Sequence, residues 1–147
     1  MNKEVNILLV EDNEGDIVLT LEALKEAKFT NGIYVVKDGE EALQYLRKEG
    51  RFEKAETPDL VLLDINLPRL DGKEVLAEIK KDPKLMVIPV VMLTTSDSEK
   101  DIMESYHNHA NCYITKPVDF QKFMEVVYVI KNFWISIVQL PNKNSHE

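Results

Sequence analysis

The sequence predicts an α/β protein: a doubly wound sheet of five parallel strands with five helices laid over its two faces. Three observations carry that prediction. Short apolar runs alternate with amphipathic stretches from one end of the chain to the other. The runs are continuously apolar, as in strands buried on both faces. Right-handed crossovers between parallel strands then wind helices onto both sides of the sheet.

Ile7-Leu8-Leu9-Val10 reads as the first buried strand. A turn from Glu11 to Gly15 follows, and Ile17, Leu21 and Leu24 then recur at helical spacing. Ile33-Tyr34-Val35-Val36 is the second strand, and the helix after it carries Ala42, Leu43 and Leu46. Pro58 introduces the third strand, Leu60-Val61-Leu62-Leu63, whose helix begins near Gly72 and presents Val75, Leu76 and Ile79. The fourth strand, Val90-Val91-Met92-Leu93, comes after Pro89. Ser96 with Glu99 three residues on is a capping-box signature that opens the next helix. Cys112-Tyr113-Ile114-Thr115 is a fifth, weaker strand, and the last helix runs from about Asp119 toward Pro141. With 147 residues and no repeat, linker or low-complexity segment, the chain reads as one domain, 1–147. Its end, about 119–147, is an extended apolar helix with a short tail.

Apolar residues make up 44% of the chain, enough for a real core at this size. One cysteine, Cys112, excludes an internal disulfide framework and suits a reducing compartment. No signal-peptide core and no apolar stretch approaching the ~20 residues of a membrane span are present, so the expectation is a cytoplasmic protein without membrane contact. The net charge of −8 argues against nucleic acid as a partner, because phosphate backbones reward Lys and Arg.

Sites in open parallel sheets form outside the carboxyl ends of the strands, where the winding reverses. The residues just after each run are Glu11 and Asp12, then Asp64, then Thr94, then Lys116 before Pro117. Singly each has a plain alternative: Asp12 or Asn13 as a helix cap, Lys116 as a surface lysine, Thr94 as a strand terminus. Together they gather three carboxylates, a hydroxyl and a lysine at one edge. Crowded carboxylates must protonate or attract a cation. Oxygen donors without His or Cys suit Mg²⁺. Asp64 then qualifies as a nucleophile toward a phosphoryl donor, with Lys116 and Thr94 meeting the transferred oxygens.

These motifs resemble the receiver domain of bacterial two-component response regulators. The resemblance rests on Leu8-Leu9-Val10-Glu11-Asp12-Asn13, on the stretch from Asp64-Ile65-Asn66 to Asp71-Gly72, on Val90-Val91-Met92-Leu93-Thr94, and on Tyr113-Ile114-Thr115-Lys116-Pro117. It implies a flavodoxin-like fold with strand order 2-1-3-4-5 and phosphorylation of Asp64 by a sensor histidine kinase. It also implies Mg²⁺ held by Asp12, Asp64 and the backbone carbonyl of Asn66, with Glu11 acting through water. Thr94 and Tyr113 become a switching pair, Lys116 the phosphoryl contact, and the bond to Pro117 cis. The stretch from Asn111 to Phe120 is similar to stand-alone regulators paired with bacterial phytochromes. No DNA-binding output domain is expected, and signalling would run through protein–protein contacts to a target the sequence does not name. The expected role is a switch, not a turnover enzyme. Phosphohydrolases that form an aspartyl phosphate need a second acid two residues after the nucleophile, and Asn66 stands there.

Two features point elsewhere. His107, His109 and Cys112 suggest zinc, but His residues two apart do not share a helix face and no fourth ligand is near. From Val126 to Val138 the last helix carries one charge, more apolar surface than a single contact covers. A deeply packed helix would explain it; the expectation leans to a homodimer through this face.

Overall fold

A strand that is apolar on both sides needs cover on both sides, and this chain supplies it. The structure, a computed structural model, describes residues 5–27, 32–95 and 112–129. Five strands form the sheet: β1 (Ile7–Val10), β2 (Ile33–Val36), β3 (Leu60–Asp64), β4 (Val90–Thr94) and β5 (Cys112–Thr115). All neighbours run parallel, in the order β2-β1-β3-β4-β5. Fold class and strand order are those expected. β3 and β4 each run one residue past their apolar runs, because Asp64 pairs with Leu93 and Thr94 with Thr115.

Alternation along the strands sorts the core into two layers. Leu8, Val10, Val61, Leu63, Val90 and Met92 face one side, against Ala42, Leu43, Leu46, Val75, Leu76 and Ile79. Those residues belong to α2 (Gly39–Arg47) and α3 (Gly72–Lys81). Ile7, Leu9, Leu60, Leu62, Val91 and Leu93 face the other side, against Ile17, Ala23, Leu24, Phe123 and Val126. These come from α1 (Glu14–Glu26) and α4 (Phe120–Val129). Burying a side chain such as Leu62 is worth roughly 2 kcal/mol, so the two layers dominate the fold's stability.

The first three α-helices each start on a side-chain cap. Asn13 Oδ1 accepts from the Asp16 N–H at 2.9 Å, and Asp38 Oδ1 from the Glu41 N–H at 2.7 Å. Asp71 and Glu74 form a reciprocal capping box at the start of α3, which the sequence reading did not pick out. It also missed the short 3₁₀ turn Gly50–Phe52, whose buried Phe52 packs edge-on against Tyr34 and Tyr45 beside β2.

Three of the five expected helices and the first part of the last fall within the described residues. The helix opened by Ser96, the pair His107 and His109, and most of the apolar run from Val126 to Val138 with its proposed dimer face lie outside them. Among the described residues, no helix is long and apolar enough to cross a membrane.

Candidate functional site

The strand alternation that builds the second core layer also aims the site residues. Ile7 and Leu9 face α1, and the same parity carries Glu11 to that side. Leu60 and Leu62 likewise lead to Asp64, and Ile114 to Lys116. Backbone bonds keep these segments in register beyond the strands: the Glu11 N–H donates to Val36 O at 3.0 Å and the Lys116 N–H to Thr94 O at 2.7 Å.

The result is a cluster built around one ammonium. Lys116 Nζ lies 3.2 Å from Glu11 Oε1, 3.2 Å from Asp64 Oδ1 and 2.9 Å from Asp16 Oδ2. Glu11 and Asp64 are buried, and only 8% of the Lys116 side chain is exposed. Glu11, Asp12 and Asp64 bring carboxylate oxygens within 4.8 Å of one another, with Asp12 on the solvent side. Three carboxylates thus surround one lysine, with Asp12 beside two of them, an excess of acids in a poorly hydrated place. Burial pushes the Glu11 carboxyl up to about 7, and the Asp64 charge adds to it. Asp64 is also raised by burial, while Lys116, Glu11 and the Asn66 N–H pull it back. An acid paired with a lysine usually falls; here desolvation and crowding win. Burial opposes the Lys116 charge, yet Asp16, Asp64 and Glu11 together raise its pKa.

The loop after Asp64 is held against its helix. The Asn66 N–H donates to Asp64 Oδ1 at 3.3 Å, and the Gly72 N–H to Ile65 O at 2.9 Å. Gly72 comes so close to the backbone that a Cβ there would stand 2.2 Å from Asp64 O. Arg69 has a left-handed φ of 68° and reaches Asp38 at 3.5 Å and Glu40 at 3.3 Å, tying the loop to the start of α2. The Lys116–Pro117 bond is cis.

Thr94 is fully buried, and alternation puts it on the α2–α3 side with Met92. Tyr113 pairs with Met92 and packs against the same layer, so Thr94 and Tyr113 share a face on adjacent strands. Glu11, Asp12, Asp64 and Lys116 therefore converge, with Asn66 beside them and Thr94 at the end of the neighbouring strand. Cys112 is half-buried and its thiol pKa is raised by burial, as in a packing residue. The sequence reading missed Asp16. The parity of Glu11, Asp64 and Lys116 points all three toward α1, and that was the available signal.

The response regulator receiver domain family matches residues 7–128. Response regulator Rcp1 of Synechocystis sp. is 45% identical over 135 residues, 92% of this chain and 92% of that protein. Among solved structures, the phosphorylated cyanobacterial phytochrome response regulator RcpA is 51% identical with a TM-score of 0.74, covering 90% of this chain and 95% of that one. The Mn²⁺-bound form of response regulator Rcp1 is 44% identical with a TM-score of 0.73, covering 92% and 97%. With its strands in the order β2-β1-β3-β4-β5, a site of acids and one lysine at their ends, and that match over residues 7–128, the chain belongs to the response regulator receiver domain family.

Proposed function

We propose that this protein is a phosphorylation switch in which a sensor histidine kinase transfers a phosphoryl group to Asp64. The observation that carries this reading is the buried Asp64 carboxylate held 3.2 Å from the Lys116 ammonium, within an acidic cluster that calls for a cation. Asp64 Oδ attacks phosphorus, and the bond from phosphorus to the donor breaks with its electron pair leaving on the donor. The Lys116 ammonium then offsets charge on the phosphoryl oxygens, and the Thr94 hydroxyl donates to one of them. A rotation of Tyr113 on the same sheet face reports the change to the surface.

The donor set fits Mg²⁺: the cluster offers oxygen only, and crowding and burial that disfavour the ionised Glu11 are what a bound cation would relieve. Asp12 and Asp64 with the Asn66 carbonyl would hold the ion, and Glu11 would act through water. When bound, the ion supplies positive charge that steadies both the carboxylates and the incoming phosphate. The Mn²⁺-bound relative supports a divalent ion here. The likeness to a phytochrome response regulator supports a phytochrome as the kinase; output through protein contacts, without catalytic turnover or DNA binding, is proposed with it. Homodimerisation through the last helix and a cytoplasmic location remain part of this proposal.

Incubation with acetyl phosphate and Mg²⁺ tests it. One phosphoryl group per chain is expected, labile in base and absent from Asp64→Asn. Equal labelling of that variant would overturn the assignment.

A further inference from the structure

Among the described residues Asp16 is the nearest anion to Lys116, yet it belongs to a helix, whereas Glu11 and Asp64 stand at strand ends. A lysine ammonium has three N–H donors. Here three carboxylates stand at hydrogen-bonding or ion-pair distance: Asp16 at 2.9 Å, Glu11 at 3.2 Å and Asp64 at 3.2 Å. Phosphorylation turns the Asp64 carboxylate into an acyl phosphate and frees the one donor it holds, so Lys116 can turn further toward the phosphoryl oxygens only if Glu11 or Asp16 lets go.

Exposure decides which. The Glu11 side chain is 0% exposed and that of Asp64 2%, whereas Asp16 is 27% exposed. A buried carboxylate that loses its counter-charge keeps the full desolvation cost, while a carboxylate at the rim regains water. Asp16 also sits in the first turn of α1, where the free N–H groups of the helix favour negative charge without help from Lys116. We propose that Asp16 is a positioning residue: it holds Lys116 over the resting site and competes with the phosphoryl group for it. It sets how readily the phosphorylated state forms. This inference rests on the phosphoryl-acceptor reading of Asp64.

The test is titration with beryllofluoride, an acyl phosphate mimic, in the presence of Mg²⁺, on the full chain. Asp16→Asn removes the competing charge, and binding tightens roughly fivefold, the scale of a partly exposed ion pair. Asp16→Glu restores wild-type affinity. Glu14→Gln neutralises a more exposed acid in the same turn, one that pairs with Lys37, and changes affinity less than twofold. Unchanged or weaker binding by Asp16→Asn overturns the proposal, as does equal tightening by Glu14→Gln, which would indicate general charge alone. If wild type neither binds the mimic nor labels with acetyl phosphate, the acceptor chemistry itself fails and this inference falls with it. Far-UV circular dichroism of each variant separates loss of fold from loss of competition.

Discussion

Replacing Gly72 by alanine sets two effects of opposite sign against each other. Helix propensity alone favours alanine by up to about 1 kcal/mol, and the φ of Gly72 is not left-handed. Close approach opposes it. A Cβ at this position would stand 2.2 Å from the carbonyl oxygen of Asp64 and 2.8 Å from Ile65 Cα. The optimum separation is about 3.5 Å, so backbone must move by roughly 1 Å. Overpacking of this kind costs about 1–3 kcal/mol and outweighs the propensity gain. The melting temperature should fall by roughly 2–8 °C for a net loss of about 1–2 kcal/mol in a chain of this size. Because the displaced backbone carries Asp64, phosphoryl uptake should slow on the order of 100-fold, the usual consequence of a 1 Å misplacement. Calorimetry and the initial rate of labelling by acetyl phosphate measure the two effects. A Gly72→Ala variant that melts at or above wild type and labels at the wild-type rate would refute the claim that this contact fixes the acceptor.

Two further predictions concern stability. Thr20 is fully buried on α1 and its hydroxyl has no hydrogen-bond partner among the described residues, so Thr20→Val should stabilise the protein by about 1 kcal/mol in urea denaturation. A loss of stability would mean that the hydroxyl is satisfied in solution. In metal-free protein Glu11 titrates at about 7 when folded against 4.5 as its unperturbed value, so the folded state binds more protons between these limits. Stability contributed by protonated Glu11 is present below pH ~4.5 and is lost as pH rises to about 7, by up to roughly 3 kcal/mol. Asp64 shifts the same way, and the raised Lys116 loses its contribution only at high pH. Urea midpoints measured in EDTA should therefore fall across that window, and Mg²⁺ should flatten the fall.

The sheet was legible because its strands are buried on both faces, which leaves runs such as Leu60–Leu63 with no polar interruption. Asp64 and Thr94 looked like residues beyond the strands because polarity marks the end of an apolar run, whereas ladder pairing continues one step further. The 3₁₀ turn at Gly50–Phe52 is too short for any periodicity to register, and a single buried aromatic anchors it. Glu11, Asp12, Asp64 and Lys116 were found from their positions at strand ends. Asp16 was not, because a strand-end rule says nothing about a helix that crosses above the edge. Its 2.9 Å contact with Lys116 joins residues a hundred positions apart, and only the shared parity of three strands hints at it.

The central claim is that Asp64 itself receives the phosphoryl group, and its most direct test is chemical mapping. Protein treated with acetyl phosphate and Mg²⁺ is reduced with borohydride, which converts an aspartyl phosphate to homoserine, and its peptides are then sequenced by mass spectrometry. The account predicts homoserine at position 64 and nowhere else. Homoserine at position 12 or 16, or phosphate retained on a histidine, would contradict it.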